Sequence, residues 1–266
     1  MDEALEAEYN TLIDDMVLVV VQKGEQAMKM SLKEGLEYAL KIRRTTRTES
    51  SEETEQNNSA DRPFDSKWDS SVEKKLGEEI LSPQERRVMD WHFARLEYGC
   101  AASLNDVSLP YWNQEDVYGG FGGAHCMIKG GYSSVVEPMG EGITIHLNHI
   151  AATIQFSPPL PQWKCSSVQR LGYGVLNKVA LEFPSVFWDI AVDYFGATAK
   201  ESNSTGHCFM FWNDRKTVGA RILIALVIGK AAIDGQSLSS SDHVKHTLKV
   251  LQKLFGQDSI PDPVAF

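Results

Sequence analysis

Positive charge is in short supply: 26 Lys and Arg stand against 36 Asp and Glu in 266 residues, a formal charge of −10. A chain so acidic is not built to coat nucleic acid, whose phosphates demand a basic surface. Cysteine is sparse too. Cys100, Cys126, Cys165 and Cys208 lie far apart and form no C-x-x-C pair. Neither a zinc site nor a redox dithiol is signalled, so no metal is expected, and a reducing compartment fits best. Long apolar runs are missing. The longest, Met16–Val21 and Ile222–Ile228, fall short of the roughly 20 residues of a membrane span. The opening residues, Met1-Asp2-Glu3-Ala4-Leu5-Glu6, are acidic where a secretory signal is basic and then apolar. No export and no membrane association are expected.

The common chemical fingerprints are absent as well. Only glycine lets backbone approach a pyrophosphate closely enough for dinucleotide binding, which is why G-x-G-x-x-G stands between a strand and a helix. Here Gly120-Phe121-Gly122-Gly123-Ala124-His125 ends in His, and Gly172-Tyr173-Gly174-Val175-Leu176-Asn177 ends in Asn and runs into a strand. No P-loop, H-E-x-x-H or G-x-S-x-G occurs.

What is present is ordinary globular material, 42% hydrophobic and 23% charged. Apolar residues at Leu5, Tyr9, Leu12, Ile13, Met16, Val17 and Val20 recur at helical spacing over the first twenty residues. Ser31-Leu32-Lys33-Glu34 is a capping box opening a second helix, with Leu32, Leu36 and Leu40 as its stripe. From about Arg43 to Ser71 the pattern dissolves into polar residues, and a flexible excursion is expected. Ser82-Pro83-Gln84-Glu85 is another capping box, before a helix carrying Val88, Met89, Phe93 and Leu96.

Beyond that helix, alternation at Ile143, Ile145 and Leu147 suggests a strand, as do Leu176–Phe183 and the fully apolar Ile222–Ile228. A last helix is expected from about Asp242 to Phe255, stopped by Gly256. The class is α+β, with no internal repeat.

Several runs go further. Leu5-Glu6-Ala7-Glu8-Tyr9-Asn10, Asp90-Trp91-His92-Phe93-Ala94, Ser108-Leu109-Pro110-Tyr111-Trp112, Phe156-Ser157-Pro158-Pro159-Leu160-Pro161, Asn177-Lys178-Val179 and Phe211-Trp212-Asn213 occur in this order. Together they resemble the flavin-dependent lysine-specific histone demethylases of the amine oxidase superfamily, plant type. The resemblance implies the substrate-binding domain of that fold, a mixed sheet flanked by helices, with the flavin-binding Rossmann part largely missing.

The implied layout is a helical part at 1–42, a flexible polar linker at 43–79, a helix and substrate-loop region at 80–150, and a sheet with a C-terminal helix at 151–266. Animal members insert a long helical hairpin at the linker to bind a corepressor; with no heptads here, that partner is not expected. At His149-Ile150 the chain runs straight into Ala151-Ala152-Thr153, where the family has further flavin-domain strands. An internal excision is implied, and an incomplete form of the enzyme.

The implied chemistry is FAD-dependent oxidation of the N-methyl group of mono- or dimethyl-lysine on the histone H3 tail, in the nucleus. Arg43, Arg44 and Arg47 are at best a weak nuclear-localisation cluster. Lys178 aligns with the lysine that holds a water against the flavin. Alternation alone puts Lys178 on one face with Leu176 and Ala180, where a snorkelling strand lysine is the other reading. Trp212 aligns with an aromatic beside the flavin; it could equally be core.

Phe93 and Ala94 match the helix lining the peptide channel, with Arg95 where Asn is usual. Asn113, Glu115 and Asp116 align with an acidic loop gripping basic side chains of the tail, as bidentate carboxylates can, and His125 aligns with a substrate-facing histidine. Two further readings stand beside the enzyme: a non-catalytic histone-tail binding module, and a truncated product without function.

Overall fold

The computed structural model describes residues 3–53, 80–114, 119–120, 122–123, 126, 128–149, 154–201 and 204–266. Segments 128–149 and 154–170, with the short helices Ser133–Met139 and Gln162–Arg170, bury no residue. Two layers hold the buried cores. The first is helical. Helix α1 (Glu3–Lys23) buries Leu5, Tyr9, Leu12, Met16 and Val19, one stripe at helical spacing. A 3-10 stretch, Gly24–Lys29, leads to α2 (Leu32–Glu53). The Ser31 backbone N–H donates to Glu34 Oε2 at 2.7 Å and the Glu34 N–H to Ser31 Oγ at 3.2 Å, the reciprocal cap anticipated from sequence.

Helix α3 (Pro83–Cys100) starts on the second box, with Ser82 as N-cap and Pro83 in the first turn. It ends on Ala101, whose left-handed backbone (φ 51°) turns the chain away. Leu12, Met16, Leu36, Leu40, Met89, Leu104 and Leu109 are fully buried where these helices meet.

Polar sequence after Arg43 does not end α2, which continues to Glu53. Tertiary ion pairs hold its middle. Arg43 is paired with buried Asp15 of α1, and Arg44 donates to Glu8 of α1 at 2.7 Å and to Glu85 of α3 at 2.9 Å. Charged contacts between helices are invisible to a hydrophobic pattern, which is why the helix outruns the expectation. The rest of the expected linker, 54–79, lies outside the described residues.

The second layer is a four-stranded sheet in the order β1-β4-β3-β2, built from β1 (Leu176–Glu182), β2 (Tyr194–Gly196), β3 (Met210–Asn213) and β4 (Ile222–Ile228). Every pairing among the described strands is antiparallel, so the sheet is not mixed. Central β4 reads as an unbroken apolar run because both its faces are covered. One face carries Leu181, Phe211, Leu223, Ala225 and Val227 and packs with Val244 and Leu251, which belong to the last helix, Ser240–Phe255. The other face carries Met210, Leu226 and Ile228 and receives Trp91 and Ala94 of α3. Helix α3 thus lies between the two layers.

Ile143, Ile145 and Leu147 do not form a strand; they are 64%, 64% and 78% exposed in turns and extended chain. Alternation makes a strand only where a neighbour supplies hydrogen bonds, and none of the described strands is adjacent.

Candidate active site

Lys178 lies on β1 directly opposite Leu226 of β4, and Trp212 lies on β3 opposite Ile224 of β4 and Tyr194 of β2. Residues facing each other across a ladder share a sheet face, so Lys178, Ala180, Ile224, Trp212 and Tyr194 all point to the side covered by α3. That cover is partial. Lys178, Ala180 and Tyr194 are exposed, while Ile224 and Trp212 are half-buried.

Across this open stretch the Lys178 ammonium lies 5.0 Å from the centroid of the Trp212 ring. A cation over an indole face is attracted by about 0.5–1 kcal/mol at such exposure. Two residues 34 positions apart in sequence, one expected to hold water and one to lie beside a flavin, are thereby brought into a single patch.

A third residue completes the patch, and sequence reasoning missed it. The Tyr98 ring meets Trp212 edge-on, centroids 6.0 Å apart at 86°. Tyr98 is one helical turn beyond Ala94, on the stripe of α3 that faces the sheet, and burial raises its hydroxyl pKa. The i, i+4 spacing from Ala94 was a usable signal, had the sheet-facing side of α3 been known.

Phe93 and Ala94 themselves do not line open space. Phe93 is 4% exposed inside the helical core, and Ala94 is 2% exposed beneath the sheet. Consecutive helical residues diverge by about 100°, so the two serve different layers as packing. Arg95, next along, is exposed. Asn113 is half-buried in the turn after the 3-10 stretch Leu109–Tyr111, which buried Leu109 and partly buried Trp112 hold to the helical layer. Glu115, Asp116 and His125 lie outside the described residues.

The patch fits the reactive end of a flavin in its chemistry: an exposed ammonium and an aromatic edge on rigid strands. A pyrophosphate cradle is not found among the described residues. Gly174, in the glycine pair nearest the patch in sequence, lies against the Ala101 backbone, where a Cβ would fall 1.8 Å from the carbonyl oxygen. No group of three or more His, Cys, Asp or Glu among the described residues is placed to hold a metal ion. No described helix is long and apolar enough to cross a membrane.

The family profile "Flavin containing amine oxidoreductase" matches residues 4–151 and 143–266. The Arabidopsis thaliana protein named "Lysine-specific histone demethylase 1 homolog 3" is 49% identical over 319 residues, covering 100% of this chain and 19% of that protein. "Lysine-specific histone demethylase 1 homolog 2" of Oryza sativa subsp. japonica is 33% identical, covering 69% of this chain and 29% of its own. "Protein FLOWERING LOCUS D" of Arabidopsis thaliana is 31% identical, with 69% and 28% covered. The chain therefore spans less than a third of the length of each of these relatives.

Proposed function

The chain belongs to the flavin containing amine oxidoreductase family, and from that membership we propose that it is the substrate-side part of an FAD-dependent histone lysine demethylase. The observation that carries the reading is the Lys178–Trp212 pair, an exposed ammonium poised over an indole on an open sheet face.

FAD, when bound, supplies the two-electron oxidation of the substrate's N-methyl group. Lys178 would hold a water with its ammonium beside the reactive edge of the flavin. Trp212 and Tyr98 put an aromatic wall beside that place, and the flavin segments would have to cover the open face to keep bulk water from an uncharged methylated amine. Mono- and dimethyl-lysine of the histone H3 tail are the proposed substrates, because the reacting nitrogen needs a lone pair. Carboxylates at Glu115 and Asp116, with Asn113, are assigned to the basic residues of that tail, and His125 to the substrate side. Chromatin, and so the nucleus, is the proposed place of action.

This chain is, on our reading, an incomplete form. The two profile matches meet at 143–151, and the alignment to the Arabidopsis relative is longer than the chain itself. Apolar side chains on either side of that junction stand in water, among them Leu147 at 78% and Ile154 at 75% exposed. Stretches of this kind are ordinarily covered.

Three samples test the proposal. The chain alone, purified with added FAD, is expected to be colourless and to release no peroxide from a dimethyl-lysine H3 peptide. A chimera that restores the flavin segments of the Arabidopsis relative is expected to bind FAD and release peroxide, and Lys178→Met in it to keep FAD while losing most turnover. Retained turnover in Lys178→Met overturns the assignment. A stoichiometric flavin spectrum on the chain alone overturns the incomplete-form reading.

A further inference from the structure

Trp91 is the first residue of the α3 stripe that faces the sheet, and it is held by a hydrogen bond as well as by packing. Its indole Nε1–H donates to the Phe209 carbonyl at 2.7 Å, deep in the interface. That carbonyl already accepts the Ala197 N–H at 2.8 Å, the bond that extends the β2–β3 ladder. Trp91 therefore adds a donor from the helical layer to the last rung of the sheet.

The ring also needs a missing side chain. A Cβ at Gly196 of β2 would lie 2.8 Å from Cε2, Cζ2 and Nε1 of the indole, all inside contact distance and all in a rigid ring. Glycine at 196 is thus what admits the Trp91 ring against the edge strand. Gly196 pairs with Met210, and Met210 is two residues before Trp212 on the same strand and the same face.

On α3, Trp91, Ala94 and Tyr98 follow at i, i+3 and i+7, so they form one stripe. Phe209 lies between them, its ring 6.4 Å from that of Trp91 and 6.5 Å from that of Tyr98. Tyr98 in turn abuts Trp212.

We propose that Trp91 is a positioning residue for the Lys178–Trp212 pair: its indole, admitted by Gly196 and tied to the Phe209 carbonyl, fixes α3 on the sheet so that Tyr98 buttresses the Trp212 ring. The inference rests on the assignment of that pair as the functional patch. It asks nothing of flavin, so its test is independent of the demethylase reading.

The experiment uses the whole chain labelled with 5-fluorotryptophan. Six tryptophans give six 19F resonances, and that of Trp212 is identified by its loss in Trp212→Phe. Trp91→Phe keeps a ring but removes the donor; Gly196→Ala drives a methyl into the indole. Each is expected to move the Trp212 resonance by more than its linewidth, as Tyr98→Leu must if the relay exists.

A Trp212 resonance unmoved in a folded Trp91→Phe chain, even with a lowered melting temperature, makes Trp91 plain core and overturns the proposal. An unmoved resonance in Tyr98→Leu overturns the relay. Should the Trp91 and Gly196 variants not fold, indole N–H exchange in the unmodified chain decides. Trp91 is expected to exchange far more slowly than Trp163, which is 64% exposed; equal rates overturn the anchored bond.

Discussion

The imidazole of His92 lies face to face on the ring of Tyr9, centroids 4.6 Å apart and planes within 17°. It is fully buried, and neither ring nitrogen has a hydrogen-bond partner among the described residues. The contact joins α3 to α1 with a group that is costly to charge. Burial lowers the His92 pKa below its ordinary 6.5, with Glu6 opposing and Arg95 adding to the shift, while Tyr9 is pushed up to about 12 chiefly by burial.

The direction of the pH dependence follows. The folded state holds His92 neutral and the unfolded chain takes up its proton near 6.5, so stability present above that value is lost as pH falls toward the lowered folded value. The melting temperature is expected to drop between pH 7.5 and 5, and His92→Phe to flatten part of the drop. Burial also lowers the His207 and His246 pKa values, so some of it remains. An equally steep profile in His92→Phe counts against the assignment.

Arg44 ties three helices. Its guanidinium bridges Glu8 and Glu85, and Glu85 is brought down to about 2 by the Ser82 backbone N–H first, then by the Ser82 hydroxyl and Arg44. Arg44→Met is expected to cost about 1–2 kcal/mol, since two partly buried carboxylates lose a shared donor. Amide exchange should then quicken over 45–53 before anywhere else in α2. Urea unfolding and exchange mass spectrometry check both; unchanged protection there would detach the helix extension from the ion pairs.

Two neighbouring glycines should differ sharply. Gly174→Ala drives a methyl onto the Ala101 carbonyl, whereas nothing lies within 4 Å of a Cβ at Gly172. Loss of about 1–3 kcal/mol is expected for the first, and a change within about 0.5 kcal/mol for Gly172→Ala. Thermal unfolding of the pair settles whether this near-fingerprint exists for packing. Equal effects would refute that.

Peptide recognition is testable without flavin. A basic H3-tail peptide is expected to bind weakly and less as salt rises, because a charge-driven contact is screened by salt. Glu115→Gln with Asp116→Asn should weaken it further, and Arg95→Asn strengthen it by removing a like charge. Fluorescence anisotropy at two salt concentrations reads the series. Equal binding by wild type and the double variant makes the loop a solvated turn.

Some of this protein is written locally. Both capping boxes, the continuous apolar β4 and the stop at Gly256 are set by residues within a turn or two of each other and stand where the sequence puts them. So does most of the α1 stripe, in which Val17 turns out to solvent and Val19 is buried instead. Their signals are short-range: a serine hydroxyl satisfies an N–H three residues on, and a period of 3.6 gathers one face. Family character is likewise legible in runs such as Asn177-Lys178-Val179 and Phe211-Trp212-Asn213.

Which residues meet was decided elsewhere. Lys178 and Trp212 sit on β1 and β3, with β4 between them, so their approach depends on two antiparallel registers that no local pattern specifies. Phe93 packs in the helical core while Tyr98 meets Trp212, and which side of α3 faces the sheet depends on distant contacts such as the Trp91 indole on the Phe209 carbonyl. Helix α2 outlived its apolar stripe through Arg43 and Arg44, and the alternating 143–147 segment has no strand beside it among the described residues. Propensity and periodicity fix what an element can be; the partners that satisfy its hydrogen bonds and charges, distant in sequence, fix what it is and which side chains it delivers to the site.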